Sequence, residues 1–220
     1  MTAAVPTEEI EELKTMQDPK HIKTTAGVHI LKRKHPLLKR LRKSWPAEIH
    51  GDKIWSSSYL IMNYLNKHPI EENAKVMEIG CGWGLLSIYC AKNFKADVTG
   101  VDADPNVLPY LKVHAALNDV TVHTKERYFH KVSPKLLQKY DAVFGGDICF
   151  WPKLVDPLYK LIKRAYKSGV KTIIIADPGR SPFFKLAKKC KKKFGAELIE
   201  RTIKKPGKAD GYLLVIKQPQ

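Results

Sequence analysis

The chain has 220 residues, 44% of them hydrophobic and 28% charged, and carries a formal net charge of +17; this suits one ordinary soluble domain with a sizeable core and excludes a disordered chain. No stretch approaches the roughly 18 apolar residues that a membrane span needs, and the acidic opening MTAAVPTEEIEELKTMQ lacks the order of a secretory signal. Cys81, Cys90, Cys149 and Cys190 form no CxxC pair and accompany no clustered histidines, which argues against a disulfide framework or a structural zinc site and for a reducing, cytoplasmic setting.

Charge is unevenly placed at the start. Residues 1–18 hold five acids and one base and read as a loose acidic helix, whereas residues 19–43 hold nine Lys or Arg and no acid. A short basic helix is expected over 36–43, beginning at Pro36. This acidic-then-basic stretch marks 1–49 as an N-terminal extension to a domain over 50–220. The segment WSSSYLIMNYLNK at 55–67 reads as a helix with Ser56 or Ser57 as N-cap, packed beside the first core strand.

From residue 75, apolar runs at 75–80, 96–102, 120–124, 140–147 and 171–177 read as buried parallel strands. Helical patterns at 84–95, 105–117, 153–168 and 182–194 lie between or after them. This alternation implies an α/β fold, an open sheet with helices on both faces. AELIERTI at 196–203 and GYLLVIKQ at 211–218 flank the turn-rich KKPGKAD, so the last strand should run antiparallel. In 183–194 the residues Phe183, Ala187, Cys190 and Phe194 fall on one helical face and six lysines on the other. Those lysines are either a solvated face or a surface for an acidic or polyanionic partner. His114, His123 and His130 fall near the ligand edge of such a sheet without the spacing of metal ligands, and read as ordinary histidines.

The strongest local signal is VMEIGCGWGLLSIYCAK at 76–92. A strand ends in Glu78-Ile79-Gly80-Cys81-Gly82-Trp83-Gly84 and a helix follows. Glycine permits the sharp turn and lets a ligand approach the main chain. A dinucleotide fingerprint would need a third glycine at position 85, which is Leu85. A ligand with an amino-acid moiety over the loop fits better, its ammonium held by Glu78 directly or through water. Asp102, 22 residues after Gly80 at the end of the second strand, is placed to hold a ribose diol. Asp104 reads as the cap of the helix that begins at Pro105.

With a glycine loop after the first strand, an acid after the second and a closing hairpin, the chain resembles the class I, seven-β-strand S-adenosylmethionine (SAM)-dependent methyltransferases over roughly residues 50–218. The resemblance implies a Rossmann-like mixed sheet ordered 3-2-1-4-5-7-6 with the seventh strand antiparallel. It carries cofactor contacts over to Glu78, Gly80, Cys81, Gly82, Gly84, Asp102 and Ala103. HGDKIWSSSYLIMNYL at 50–65, with Trp55, is similar to the methyltransferase family 16 group, which contains many protein lysine methyltransferases. That group places an acid, two variable residues and an aromatic after the fourth strand, matched here by Asp147-Ile148-Cys149-Phe150 and followed by Trp151. It prefers tyrosine where this chain has Phe150. It often has an acid and a tryptophan near the adenine, where this chain has Glu126-Arg127-Tyr128. Asp177-Pro178-Gly179-Arg180 after the fifth strand is also similar to bacterial members.

These residues define the expected site. Trp55, Tyr128 and Asp147 join the cofactor contacts, and Asp147, Phe150 and Trp151 form the catalytic wall. Aromatic walls would disfavour a charged lysine ammonium by desolvation, while Asp147 would orient the amine. The competing reading is that Asp147 satisfies backbone groups at a strand end and Phe150 is core. Three substrate classes stay open: a protein lysine, a small molecule, or RNA drawn by the positive charge. The RNA reading lacks the Asn/Asp-Pro-Pro-aromatic signature at 147–150.

Overall fold

The computed structural model describes residues 19–51 and 53–218; the acidic helix expected over 1–18 lies outside them. The basic stretch after it contains a hairpin that the sequence reading did not anticipate. Strands β1 (Ile22–Thr25) and β2 (Val28–Leu31) pair antiparallel around Ala26 and Gly27. Both turn residues have positive φ, 47° and 75°, the geometry that matches the right-handed twist of a two-residue hairpin. Helix α1 (Pro36–Ser44) then starts at Pro36 as expected, with His35 Nδ1 accepting the Leu37 amide at 3.1 Å. Its Leu37, Leu38 and Leu41 are buried while Lys39, Arg40 and Lys43 face outward, and Arg42 turns inward over the Trp83 ring.

Helix α2 (Ser57–Lys67) leads into strand β3 (Lys75–Ile79), followed by α3 (Leu85–Phe94), β4 (Asp97–Asp102) and α4 (Leu108–Leu117). Strand β5 (His123–Glu126), α5 (Pro134–Leu137), β6 (Ala142–Gly146), α6 (Val155–Lys167), β7 (Thr172–Asp177) and α7 (Ser181–Phe194) continue the alternation. Strands β8 (Glu197–Ile203) and β9 (Ala209–Lys217) close the chain. The main sheet is ordered β5-β4-β3-β6-β7-β9-β8. Counted from β3, this is 3-2-1-4-5-7-6, and β9 runs antiparallel to both β7 and β8.

Alternation along the strands feeds two cores. Val76, Ile174 and Ala176 face the layer of α2, α3 and α4, whereas Met77, Ile173 and Ile175 face α5, α6 and α7. On α7, Phe183, Ala187 and Cys190 are buried and the six lysines are exposed, as the periodicity predicts. A third cluster joins Leu31, Leu37, Leu38 and Leu41 to Trp83, Tyr110, Val113 and Leu117, so β2 and α1 are docked on α4.

Two local expectations need correction. The third core strand occupies 123–126 rather than 120–124. It is an edge strand, positioned by backbone pairing from Thr99↔His123 to Asp102↔Glu126 and not by a buried apolar face. At the start of α2, Ser56 occupies the N-cap position but its side chain makes no capping bond. The Ser57 amide instead donates to Asp147 Oδ2 at 3.1 Å, a partner 90 residues away that local sequence rules do not reach.

Candidate cofactor and methyl-acceptor site

Parallel pairing of β3 with β4 and with β6 brings the residues after each strand to one edge of the sheet, at the point where strand order reverses. A cavity of about 290 Å³ opens there, and a narrower cleft of about 30 Å³ shares Trp55, Gly80, Gly82 and Gly146 with it. Between them they gather every expected site residue. Trp55, Gly80, Gly82, Asp102, Ala103, Tyr128, Asp147, Phe150 and Trp151 line the larger space; Glu78, Cys81 and Gly84 line the narrower one.

The glycine loop is held by Gly80 and Cys81 amides donating to the Val101 carbonyl at 2.7 and 3.2 Å. Gly80, Gly82 and Gly84 all have positive φ, but they serve different ends. A Cβ on Gly80 would lie 2.3 Å from Ile148 Cγ2, and one on Gly84 2.5 Å from Leu111 Cγ, so these two permit packing. A Cβ on Gly82 would meet nothing within 4 Å. Its main chain lies open to the cavity, which is where a ligand can approach closely.

The acids divide the labour. Glu78 is buried, and its Oε2 accepts from the Ser87 amide at 2.9 Å and from the Ser87 hydroxyl. Burial pushes its carboxyl up to about 8, against the lowering effect of those bonds. A buried acid of this kind would be returned to its charged form by a ligand ammonium. Asp102 accepts from the Gly82 amide at 2.9 Å through Oδ2 and from the Asp104 amide at 3.0 Å through Oδ1. It thus braces the loop as well as facing the cavity, and burial raises its carboxyl to about 6. Asp104 caps the following turn as expected, accepting from Asn106 N at 3.0 Å. Its other oxygen takes the Glu48 and Ile49 amides at 2.6 and 3.0 Å, tying residues 48–51 over the cavity. Trp83 Nε1 secures the same segment by donating to the Gly51 carbonyl at 2.8 Å.

Asp147 has positive φ, 57°, and both carboxylate oxygens are engaged: Oδ1 with Arg180 Nη1 at 2.9 Å, Oδ2 with the Ser57 amide. Arg180 also reaches Asp177 Oδ2 at 2.8 Å, so one guanidinium bridges two buried carboxylates. Asp147 therefore anchors the 147–151 loop from beneath. Beyond it Phe150 and Trp151 pack edge-on, with ring centres 4.6 Å apart.

The residue that sequence reasoning passed over is His50. Its ring lies 5.0 Å from Phe150, 5.3 Å from Trp151 and 6.2 Å from Trp55, and its carbonyl accepts from Trp55 Nε1 at 2.8 Å. It lies in the motif HGDKIW, five residues before Trp55. Of the three histidines expected near the ligand edge, His130 lies there and His114 and His123 do not. His114 is buried in α4, accepting the Leu31 amide at Nε2 and donating from Nδ1 to the Tyr110 carbonyl, and burial lowers it to about 4. His123 starts β5 at the opposite end of the sheet, beside Asp97, and His130 stacks on Tyr128 at the rim. The four cysteines are buried and free, and among the described residues no three His, Cys, Asp or Glu gather as a metal site. No helix among them is long and apolar enough to cross a membrane.

These residues fit SAM: an open glycine main chain, a buried carboxylate for the ammonium, a second acid at the position of the ribose, and apolar walls between. Comparisons with known proteins agree. Residues 76–169 match the family model described as a methyltransferase domain. A histidine protein methyltransferase 1 homolog from Dictyostelium discoideum is 32% identical over 127 residues, 55% of this chain and 41% of that protein. An electron transfer flavoprotein beta subunit lysine methyltransferase from Danio rerio is 23% identical over 134 residues, 59% of this chain and 50% of that one. A phosphoethanolamine N-methyltransferase of Arabidopsis thaliana is 27% identical over 125 residues, 54% of this chain and 24% of that one. The chain thus spans half or less of these curated relatives. A solved SAM-dependent methyltransferase from Agrobacterium tumefaciens superposes with a TM-score of 0.66 over 89% of this chain and 69% of its own, at 14% identity. The chain carries a methyltransferase domain, and its fold is that of the class I, SAM-dependent methyltransferases.

Proposed function

We propose that the protein methylates a protein side chain, a lysine amine, from SAM. The observation that carries this reading is the aromatic mouth of His50, Trp55, Phe150 and Trp151 at the edge of the cofactor cavity. SAM supplies a methyl group on a sulfonium centre, open to in-line attack by a nucleophile. The chain's own residues then have three tasks. The glycine loop, Glu78 and Asp102 fix one end of the reaction axis. The aromatic mouth admits an extended alkyl-amine, and exclusion of water disfavours its charged form, so that the ammonium gives its proton to bulk water on entry. The amine then attacks in line with its lone pair free, which is most of what a displacement of this kind requires. Asp147, with both oxygens taken by Arg180 and Ser57, serves as the anchor that sets Phe150 and Trp151 and not as a free base.

The relative named as a histidine protein methyltransferase favours a second reading, in which the acceptor is an imidazole in the same mouth. Purified protein incubated with radiolabelled SAM and cell extract, with RNase or protease added, tests the proposal. A discrete protein band that survives RNase is expected. Label removed by RNase, or confined to small molecules, would overturn it.

A further inference from the structure

We infer that the mouth of the cavity is a docking surface for an acidic protein segment, so that the acceptor lysine is one flanked by Asp or Glu. This rests on the lysine reading above and deepens it.

Two observations combine. The first is where large apolar side chains are left exposed. Tyr128, Trp151 and Phe184 are the exposed large hydrophobic residues among those described, at 51%, 40% and 38%. Tyr128 follows β5, Trp151 follows β6 and Phe184 lies in the first turn of α7 after β7. All three therefore stand on the carboxyl edge of the sheet, Tyr128 and Trp151 in the lining of the cavity and Phe184 outside it. Tyr212, paired with Asp177 across the end of β7, extends that surface through its ring contact with Phe184 at 4.9 Å. A metabolite would be enclosed by the cavity walls and has no use for aromatic rings spread along the rim. A partner with a surface of its own would cover them.

The second observation is the sign of the charge that faces outward. The charged residues lining the cavity and its cleft are Glu78, Asp102, Asp147, Lys53, Arg127 and Lys153. The three acids are turned inward and bonded, to Ser87, to the Gly82 and Asp104 amides, and to Arg180 and Ser57. The three bases are exposed. Lys53 Nζ lies 4.0 Å over the Trp55 ring and Lys153 Nζ 4.8 Å over Trp151, so two of the cations sit on the same rings that frame the mouth. Among the described residues the exposed acids near this surface are Glu126, Glu48, Asp156 and Glu200; Glu48 is turned to Asn106, Asp156 is paired with Lys189 and Glu200 accepts from the Tyr212 hydroxyl. A cationic rim repels a lysine set among basic residues and attracts one whose neighbours are carboxylates, while the aromatic mouth accepts the lysine itself.

Three lysine copolymers serve as probes: Glu-Lys, Ala-Lys and poly-Lys, each assayed with the full chain and radiolabelled SAM at low and high salt. The expected result is a kcat/KM for Glu-Lys about tenfold or more above Ala-Lys, with poly-Lys lowest, and a preference that shrinks as salt rises. In Lys153→Glu the ratio of Glu-Lys to Ala-Lys should fall about three- to tenfold, by the same reasoning. Ala-Lys serves in each preparation as the control for folding and cofactor binding. Ala-Lys or poly-Lys labelled as well as Glu-Lys would overturn the inference and leave lysine methylation standing. Label in none of the three, while protein of the cell extract is labelled in the same preparation, would overturn this inference and leave the lysine reading to its own test.

Discussion

Glu78→Gln should separate the cost of the cofactor carboxylate to the fold from its use to the ligand. Glu78 is 3% exposed, and burial raises its carboxyl from 4.5 to about 8. An acid whose folded value lies above its unfolded one binds more protons folded than unfolded between those two values. Its contribution to stability is therefore complete below pH 4.5 and is lost as pH rises towards 8. Each unit of separation corresponds to about 1.4 kcal/mol, so wild type should lose about 1 kcal/mol by pH 5, about 3 by pH 7 and about 5 by pH 9. The glutamine keeps an oxygen to accept from Ser87 but cannot ionise. Urea unfolding of both proteins from pH 5 to pH 9 should show the variant gaining on wild type by those amounts. Calorimetry in buffers of different ionisation enthalpy should show wild type releasing about 0.9 proton when S-adenosylhomocysteine binds at pH 7, and the variant binding weakly with no such release. A stability difference independent of pH, or equal binding without proton release in wild type, would refute this account of Glu78.

Gly82→Ala should leave a folded protein, at a cost of about 1–2 kcal/mol for its positive φ, yet lose S-adenosylhomocysteine binding. Gly80→Ala should fail differently, since its Cβ would strike Ile148; thermal melting with and without ligand distinguishes the two. Arg180→Ala leaves Asp147 and Asp177 buried without their shared cation and should destabilise by about 3–5 kcal/mol in urea. Arg180→Lys should recover part of that loss. His114, lowered to about 4, favours the fold in its neutral form, so its contribution is present above pH 6.5 and lost by up to about 3 kcal/mol as pH falls towards 4. Its imidazole resonances should stay those of the neutral ring down to near pH 4, and titration close to pH 6.5 would contradict its burial.

The sheet was legible because its signals are local and repeated. Apolar runs buried on both faces, glycine at the turn after β3 and the turn-rich segment before β9 each act within a few residues. The gathering of Glu78, the glycines and Asp102 at one cavity and its cleft was legible for the same reason: they follow directly from the ends of two strands. What sequence reasoning did not reach depends on contacts between distant segments. The cap of α2 comes from Asp147, the strap at 48–51 from Asp104 and Trp83, and the docking of β2 from His114 and Asn118. The partners of Asp147 lay out of reach for the same reason: its motif places it at the acceptor site, and Arg180 and Ser57, distant in sequence, each bond one of its oxygens. His50 was missed because one histidine before a glycine has no periodic signature, and only the return of the chain over β6 places its ring against Phe150.

The most direct test of the central claim is the chemical identity of the methylated product. Acceptor material labelled from radioactive SAM, hydrolysed to its monomers and separated by chromatography, should place the label in methyllysine. Label in methylhistidine would contradict the lysine assignment while keeping a protein acceptor, and label in nucleosides or free metabolites would contradict the proposed function as a whole.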